Sequence, residues 1–116
     1  MKTRMKVYLD FDGTVVEHRY PLIGSPVVGA VEGVALLRTL GCEIVLNTYR
    51  ANLSAAHLAD AVAYCESVGI VLDGVLSAKI DPVWDLNEAT ITGILFIDDI
   101  ADGIPLIGER SKVVDW

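Results

Sequence analysis

The chain has 116 residues, of which 53% are hydrophobic, and its mean hydropathy is +0.47. That is enough for one compact domain with a buried core and too apolar for a disordered chain. A formal net charge of −7 and a pI near 4.6 argue against non-specific nucleic-acid binding, which needs Lys and Arg to displace phosphate counterions.

Along the chain, Lys6 to Asp10 reads as a short strand whose apolar run stops at a carboxylate. Ser25 as N-cap and Pro26 at the first helical position predict a helix over Val27 to Leu40, stopped by Gly41. Gly29 and Gly33, one turn apart on it, suit close packing better than phosphate binding. Glu43 to Asn47 reads as a second strand. Asn52 or Ser54 can then cap a second helix that runs to Val68, with Leu58, Val62, Cys65 and Val68 as its apolar stripe. Gly74 to Ser77 reads as a third strand, Asp85 to Thr90 as a short helix, Ile94 to Ile97 as a fourth strand and Lys112 to Val114 as a fifth. Strands alternating with helices predict an α/β fold with a three-layer, doubly wound parallel sheet, as a single domain over residues 1–116.

Charges or Gly interrupt every apolar stretch before the roughly 20 residues of a bilayer span, so no membrane segment is expected. The basic start, Met1 to Lys6, resembles a signal peptide, but Asp10 and Asp12 break the apolar region that should follow, and the expected location is cytoplasmic. Cys42 and Cys65 lack the close spacing of a zinc or redox site and read as reduced core residues.

The polar residues of interest collect at strand ends, where open α/β sheets bind their ligands. Strand one ends in Asp10-Phe11-Asp12-Gly13-Thr14, strand two in Asn47-Thr48-Tyr49-Arg50, and strand four in Asp98-Asp99, while Lys79 follows strand three. Asp10 and Asp12, two apart in extended chain, share a side and would repel one another without a cation. An Asp pair after a strand is often only a turn and capping device. Three further segments with matching chemistry outweigh that reading here. Asp10, Asp12, Asp98 and Asp99 form an oxygen-rich set suited to Mg²⁺, and Lys79 and Thr48 offer a charge and a hydroxyl to phosphate oxygens.

These segments resemble the haloacid dehalogenase-like (HAD) hydrolases, most of which are phosphatases. Asp10-Phe11-Asp12-Gly13-Thr14-Val15-Val16 is similar to the family's first motif, Thr48 to the second, Lys79 to the third and Asp98-Asp99 to the fourth, in the family's order. The resemblance implies a Mg²⁺-dependent phosphomonoester phosphatase with a Rossmann-like HAD core. Asp10 would attack phosphorus to form an aspartyl-phosphate, with Asp12 as general acid and then base. Thr48 would hold the phosphoryl group, and Lys79 would stabilise its charge. The metal would be held by the Asp10 side chain, the Asp12 main-chain carbonyl and Asp98, with Asp99 binding directly or through water.

The family's large cap domains enter at two points, and the gaps here, Val15 to Ser25 and essentially Ala78, can hold neither. A capless site suits a phosphorylated macromolecule that brings its own cover, a homo-oligomer in which a neighbour closes the pocket, or a small phosphomonoester. His18, Arg19, Tyr49 and Arg50 are the candidate substrate contacts, and Arg50 reads equally as a loop anchor. Two other classes compete. A receiver-like signalling domain also phosphorylates an Asp beside Mg²⁺, but its Lys follows its phosphorylated Asp on the last strand, whereas Lys79 precedes Asp98-Asp99. A non-catalytic HAD-like binding module has no use for both Asp10 and Asp12.

Overall fold

A computed structural model describes residues 5–81, 93–100, 104–108 and 112–116. The fold is mixed α/β and is built on a four-stranded parallel sheet. Its strands are β1 (Lys6–Leu9), β2 (Glu43–Leu46), β3 (Gly74–Val75) and β4 (Ile94–Ile97), arranged in the order β3-β2-β1-β4. The sequence places β1, β2 and β4 within a residue of these bounds, because each is an apolar run that ends at a polar residue. β3 is shorter than expected and stops at Val75.

Register sets up everything that follows. Leu9 pairs with Leu46 on one side and with Ile97 on the other. The next residues, Asp10, Asn47 and Asp98, therefore leave three neighbouring strands side by side at the carboxyl edge of the sheet. Strand order also reverses at β1, with β2 on one side and β4 on the other, which is where such sheets open a crevice for ligands.

Helix α1 (Ala30–Thr39) begins three residues later than the sequence suggests, after Gly29 in the left-handed region with φ 85°. Ser25 and Pro26 do not start it. Pro26 bridges to Val16, Glu17 N–H donates to the Ser25 carbonyl at 2.8 Å and Val27 N–H donates to the Val15 carbonyl at 3.0 Å, so this segment stays extended to brace the loop after β1. A short helix α2 (Arg50–Leu53) that the sequence does not announce precedes the expected second helix, which is α3 (Ala55–Ser67) with Ser54 between them. Ser54 has extended backbone, and its side chain accepts from His57 N–H at the start of α3, as the capping argument requires. Asn52 does not cap a helix.

One continuous core joins the sheet to the helices. Val7, Leu9, Ile44 and Leu46 from the strands meet Val34 of α1 and Ala61 and Cys65 of α3, all fully buried or nearly so. Leu58, Val62 and Val68 pack against this cluster at its margin, in keeping with the expected stripe. The expected strand at 112–114 exists as β6 (Val113–Val114), but it pairs antiparallel with β5 (Leu106–Ile107) in a separate two-stranded ribbon instead of extending the parallel sheet. The expected helix at Asp85 to Thr90 lies outside the described residues. Among the described residues, no helix is long and apolar enough to cross a membrane.

Candidate active site

The loop after β1 is a tight turn in which the N–H groups of Thr14 and Val15 donate to the Phe11 carbonyl at 3.1 and 2.9 Å. Gly13 makes the turn with φ 83°, and a Cβ there would come within 2.3 Å of the His18 ring and 2.8 Å of Asp99 Oδ2. Only glycine satisfies both the backbone angle and the space. The turn leaves Asp10 and Thr14 buried, and Thr14 Oγ1 donates to Asp10 Oδ2 at 3.1 Å.

Lys79 comes from the loop after β3, and its side chain is only 2% exposed. Its Nζ donates to Asp10 Oδ1 at 3.1 Å and lies 2.7 Å from Asp98 Oδ2. The second contact pairs the ammonium with a fully buried Asp98 carboxylate. Asp98 Oδ1 accepts from Ile100 N–H at 3.1 Å. Two asparagines that the sequence reading assigned to a strand end and a helix cap instead set the Lys79 loop in place. The Asn47 amide donates to the Ile80 carbonyl at 2.7 Å and accepts from Ile80 N–H at 2.8 Å, and Asn52 Oδ1 accepts from Lys79 N–H at 2.8 Å. A buried amide directly after an apolar strand was the available signal for Asn47, since such a group must find partners.

Carboxylate oxygens of Asp10, Asp98 and Asp99 all lie within 4.8 Å of one another. Burial, and then the Asp98 charge, hold the Asp10 carboxyl well above its ordinary pKa, against the pull of Lys79. Asp99 is likewise raised, first by burial and then by its contact with Asp98. Burial works against the Lys79 ammonium, but Asp10 and Asp98 outweigh it and its pKa is raised. One lysine among three acids leaves an excess of negative charge on a mostly buried floor, the condition a cation relieves.

A pocket of about 320 Å³ opens above this floor and takes in Asp10, Asp12, Thr48, Lys79 and Asp99 together. Thr48 is buried, and its hydroxyl oxygen accepts from Arg50 N–H at 3.2 Å, which leaves its own hydrogen to donate. His18 lines the pocket with Nε2 3.1 Å from Asp99 Oδ2 and 3.3 Å from the Lys112 carbonyl oxygen. Tyr49 also lines it, with its hydroxyl donating to Asp81 and Lys79 Nζ 4.5 Å from its ring centroid. Arg19 is exposed and does not line the pocket, so the structure does not bring it to the expected substrate contact.

Of the two roles open to Arg50, the structure shows loop anchoring. Arg50 is not a free hand for substrate, because its side chain is 1% exposed and all five of its N–H donors are taken. Nε and Nη2 grip the two oxygens of Asp12, each at 2.8 Å. Nη2 also donates to the Leu22 carbonyl at 2.7 Å, and Nη1 donates to those of Pro21 and His57 at 3.3 and 3.2 Å. The guanidinium lies 5.1 Å from the Phe11 ring centroid and 5.0 Å from that of Tyr20. Arg50 therefore locks Asp12 and the 17–25 loop to the start of α2.

No family model matches the sequence, and no curated protein matches it. A solved structure of a conserved protein from Bacteroides thetaiotaomicron is similar at 30% sequence identity and a TM-score of 0.65, over 89% of this chain and 83% of that one. The chain belongs to the same family as that conserved protein. The likeness carries no activity with it, so what the site does rests on its geometry.

Proposed function

We propose that this protein is a HAD-like, Mg²⁺-dependent phosphohydrolase with a doubly wound core and Asp10 as its nucleophile. The observation that carries the reading is the junction of Asp10, Lys79 and Asp98, drawn from three separate strand ends to within 3.1 Å of the same ammonium. A capping or turn role for these acids would not bury them around a lysine.

The acid set fits a hard divalent cation, because three carboxylates offer oxygens within 4.8 Å of one another and a single ammonium, Lys79, is shared between two of them. Asp10, Asp98 and Asp99 would hold it. When bound, Mg²⁺ there neutralises carboxylate charge and polarises the oxygens of a substrate phosphate. The chain's own residues do the rest. Asp10 attacks phosphorus and the bond from phosphorus to the ester oxygen breaks; for Asp12 to protonate the departing oxygen, one of its oxygens must first leave the Arg50 fork and take up a proton from solvent as the substrate binds. Water then attacks the aspartyl-phosphate, Asp12 takes up a proton, and inorganic phosphate leaves with the Asp10 carboxylate restored. Lys79 and the Thr48 hydroxyl stabilise the phosphoryl oxygens throughout. Arg50 keeps Asp12 at the mouth of the pocket and binds no substrate.

Hydrolysis of p-nitrophenyl phosphate, with Mg²⁺ or excess chelator and with Asp10→Asn beside the wild type, tests the reading. Turnover that needs both Mg²⁺ and Asp10 is expected. Full activity in Asp10→Asn would sink it.

A further inference from the structure

The floor of the pocket is charged and its walls are carbon. Tyr20, Tyr49, Leu53 and Ile100 line it and are 41, 44, 63 and 58% exposed. Four large apolar side chains left in water around a polar floor favour a ligand that covers them. The two tyrosines present rings more than hydroxyls. The Tyr49 hydroxyl donates to Asp81, and the Tyr20 hydroxyl lies 2.8 Å from His57 Nδ1. Each ring is further held by the cation at its face, Lys79 for Tyr49 and Arg50 for Tyr20. Rings fixed in advance lose little freedom when a flat group settles on them.

Charge narrows the choice. Among the described residues that line the pocket, the Lys and Arg side chains are Lys79 and Arg50, and Arg50 has no N–H left to offer. One phosphoryl group can be met by Lys79, whereas among the described lining residues Arg50 has no N–H for a second phosphate and the His18 ring is already turned to Asp99. A sugar would set its hydroxyls against the same carbon walls and lose hydrogen bonds to water without replacing them. Among the described lining residues, a single phosphoryl group on an apolar carrier is therefore met better than a polyphosphate or a sugar phosphate.

We propose that the substrates are phosphomonoesters of uncharged aromatic alcohols, with the ring of the leaving group lying against Tyr20 and Tyr49 and edged by Leu53 and Ile100. This rests on the phosphohydrolase reading for its chemistry, but its binding part can be measured without turnover. The test is calorimetric titration of the full chain in Mg²⁺ with three non-hydrolysable probes that share one headgroup: benzylphosphonate, (cyclohexylmethyl)phosphonate and ethylphosphonate. Benzylphosphonate should bind about tenfold more tightly than ethylphosphonate and about threefold more tightly than the cyclohexyl probe. Leu53→Asn, at an exposed helix position outside the core, should cut the benzyl-to-ethyl ratio about threefold. Equal affinities, a tighter cyclohexyl probe, a ratio unmoved by Leu53→Asn or no binding of any phosphonate would each overturn the proposal. Discriminating phosphonate binding without hydrolysis of p-nitrophenyl phosphate would instead remove the phosphohydrolase reading and leave the aromatic preference standing.

Discussion

Replacing Arg50 with Met removes the guanidinium while keeping an unbranched side chain of similar reach between Phe11 and Tyr20. What it leaves behind is the Asp12 carboxylate, only 19% exposed, and the carbonyls of Pro21, Leu22 and His57 without their donor. Breaking a buried ion pair from one side costs about 3–5 kcal/mol, and the partial exposure of Asp12 puts this case near the lower end. For a domain of this size, about 3 kcal/mol corresponds to a Tm roughly 10 °C lower. Urea denaturation of the wild type, Arg50→Met, Asp12→Asn and the double variant supplies the cycle. The double variant should be less destabilised than the sum of the singles by about 1–3 kcal/mol, because the second change removes a partner already lost. Arg50→Lys should fall between wild type and Met, since it keeps the charge but loses the planar fork. A Met variant within about 0.5 kcal/mol of the wild type, or an additive cycle, would refute the lock. Asp12→Asn should accordingly lose stability as well as turnover, so its activity must be assayed well below its own melting transition.

The other predictions can be read with simple assays. Mg²⁺ at about a hundred times its Kd should stabilise the wild type by roughly 2.7 kcal/mol in thermal melts, and Asp98→Asn should lose most of that gain. Asn47→Ala takes away both hydrogen bonds that hold Ile80 beside Lys79. It should cost about 1–3 kcal/mol and lower kcat more than it raises KM, and steady-state kinetics with unchanged kcat would show that Lys79 needs no such support. Burial pushes the Cys65 thiol up to about 12, so iodoacetamide near pH 8 should leave it unmodified in the folded chain and label it in urea. Because that pKa is raised above its unfolded value, the stability linked to Cys65 is complete below about pH 8.5 and declines as pH climbs toward 12; a pH series of melts that stays flat across this window would contradict the burial.

Much of the scaffold was legible because it is written locally. β1, β2 and β4 are short apolar runs, each closed by a polar residue, and Gly41 and Gly69, with φ 93° and 85°, lie just beyond the ends of α1 and α3. The convergence of Asp10, Thr48, Lys79 and Asp98-Asp99 was legible too, since parallel strands deliver their ends to one edge. What the sequence hid depends on partners far along the chain. Nothing near Arg50 announces that carbonyls from Pro21 and Leu22 will consume its donors, so an arginine beside a candidate phosphate site reads as readily for a phosphate ligand as for a loop anchor. Ser25-Pro26 has the chemistry of a helix start, and only the hydrogen bonds to Val15 and Glu17 draw it into extended form. Asn52 sits where a cap is plausible, but the Lys79 amide has the stronger claim.

The loop that carries Asp10 and Asp12 is closed by residues about a hundred positions later. Val114 N–H donates to the Gly13 carbonyl at 2.9 Å, Trp116 Nε1 donates to the Thr14 carbonyl at 2.8 Å, and the Trp116 ring occupies the space a Cβ at Gly33 would need. A ribosome that has released β1, β2 and both flanking helices has therefore still not produced a finished site. Those two carbonyls gain their native partners only once the residues of β6 and Trp116 are in place, a contact of high sequence separation. Competence for chemistry would then trail behind the appearance of secondary structure during refolding, a delay that stopped-flow activity and circular dichroism recorded side by side would separate in time.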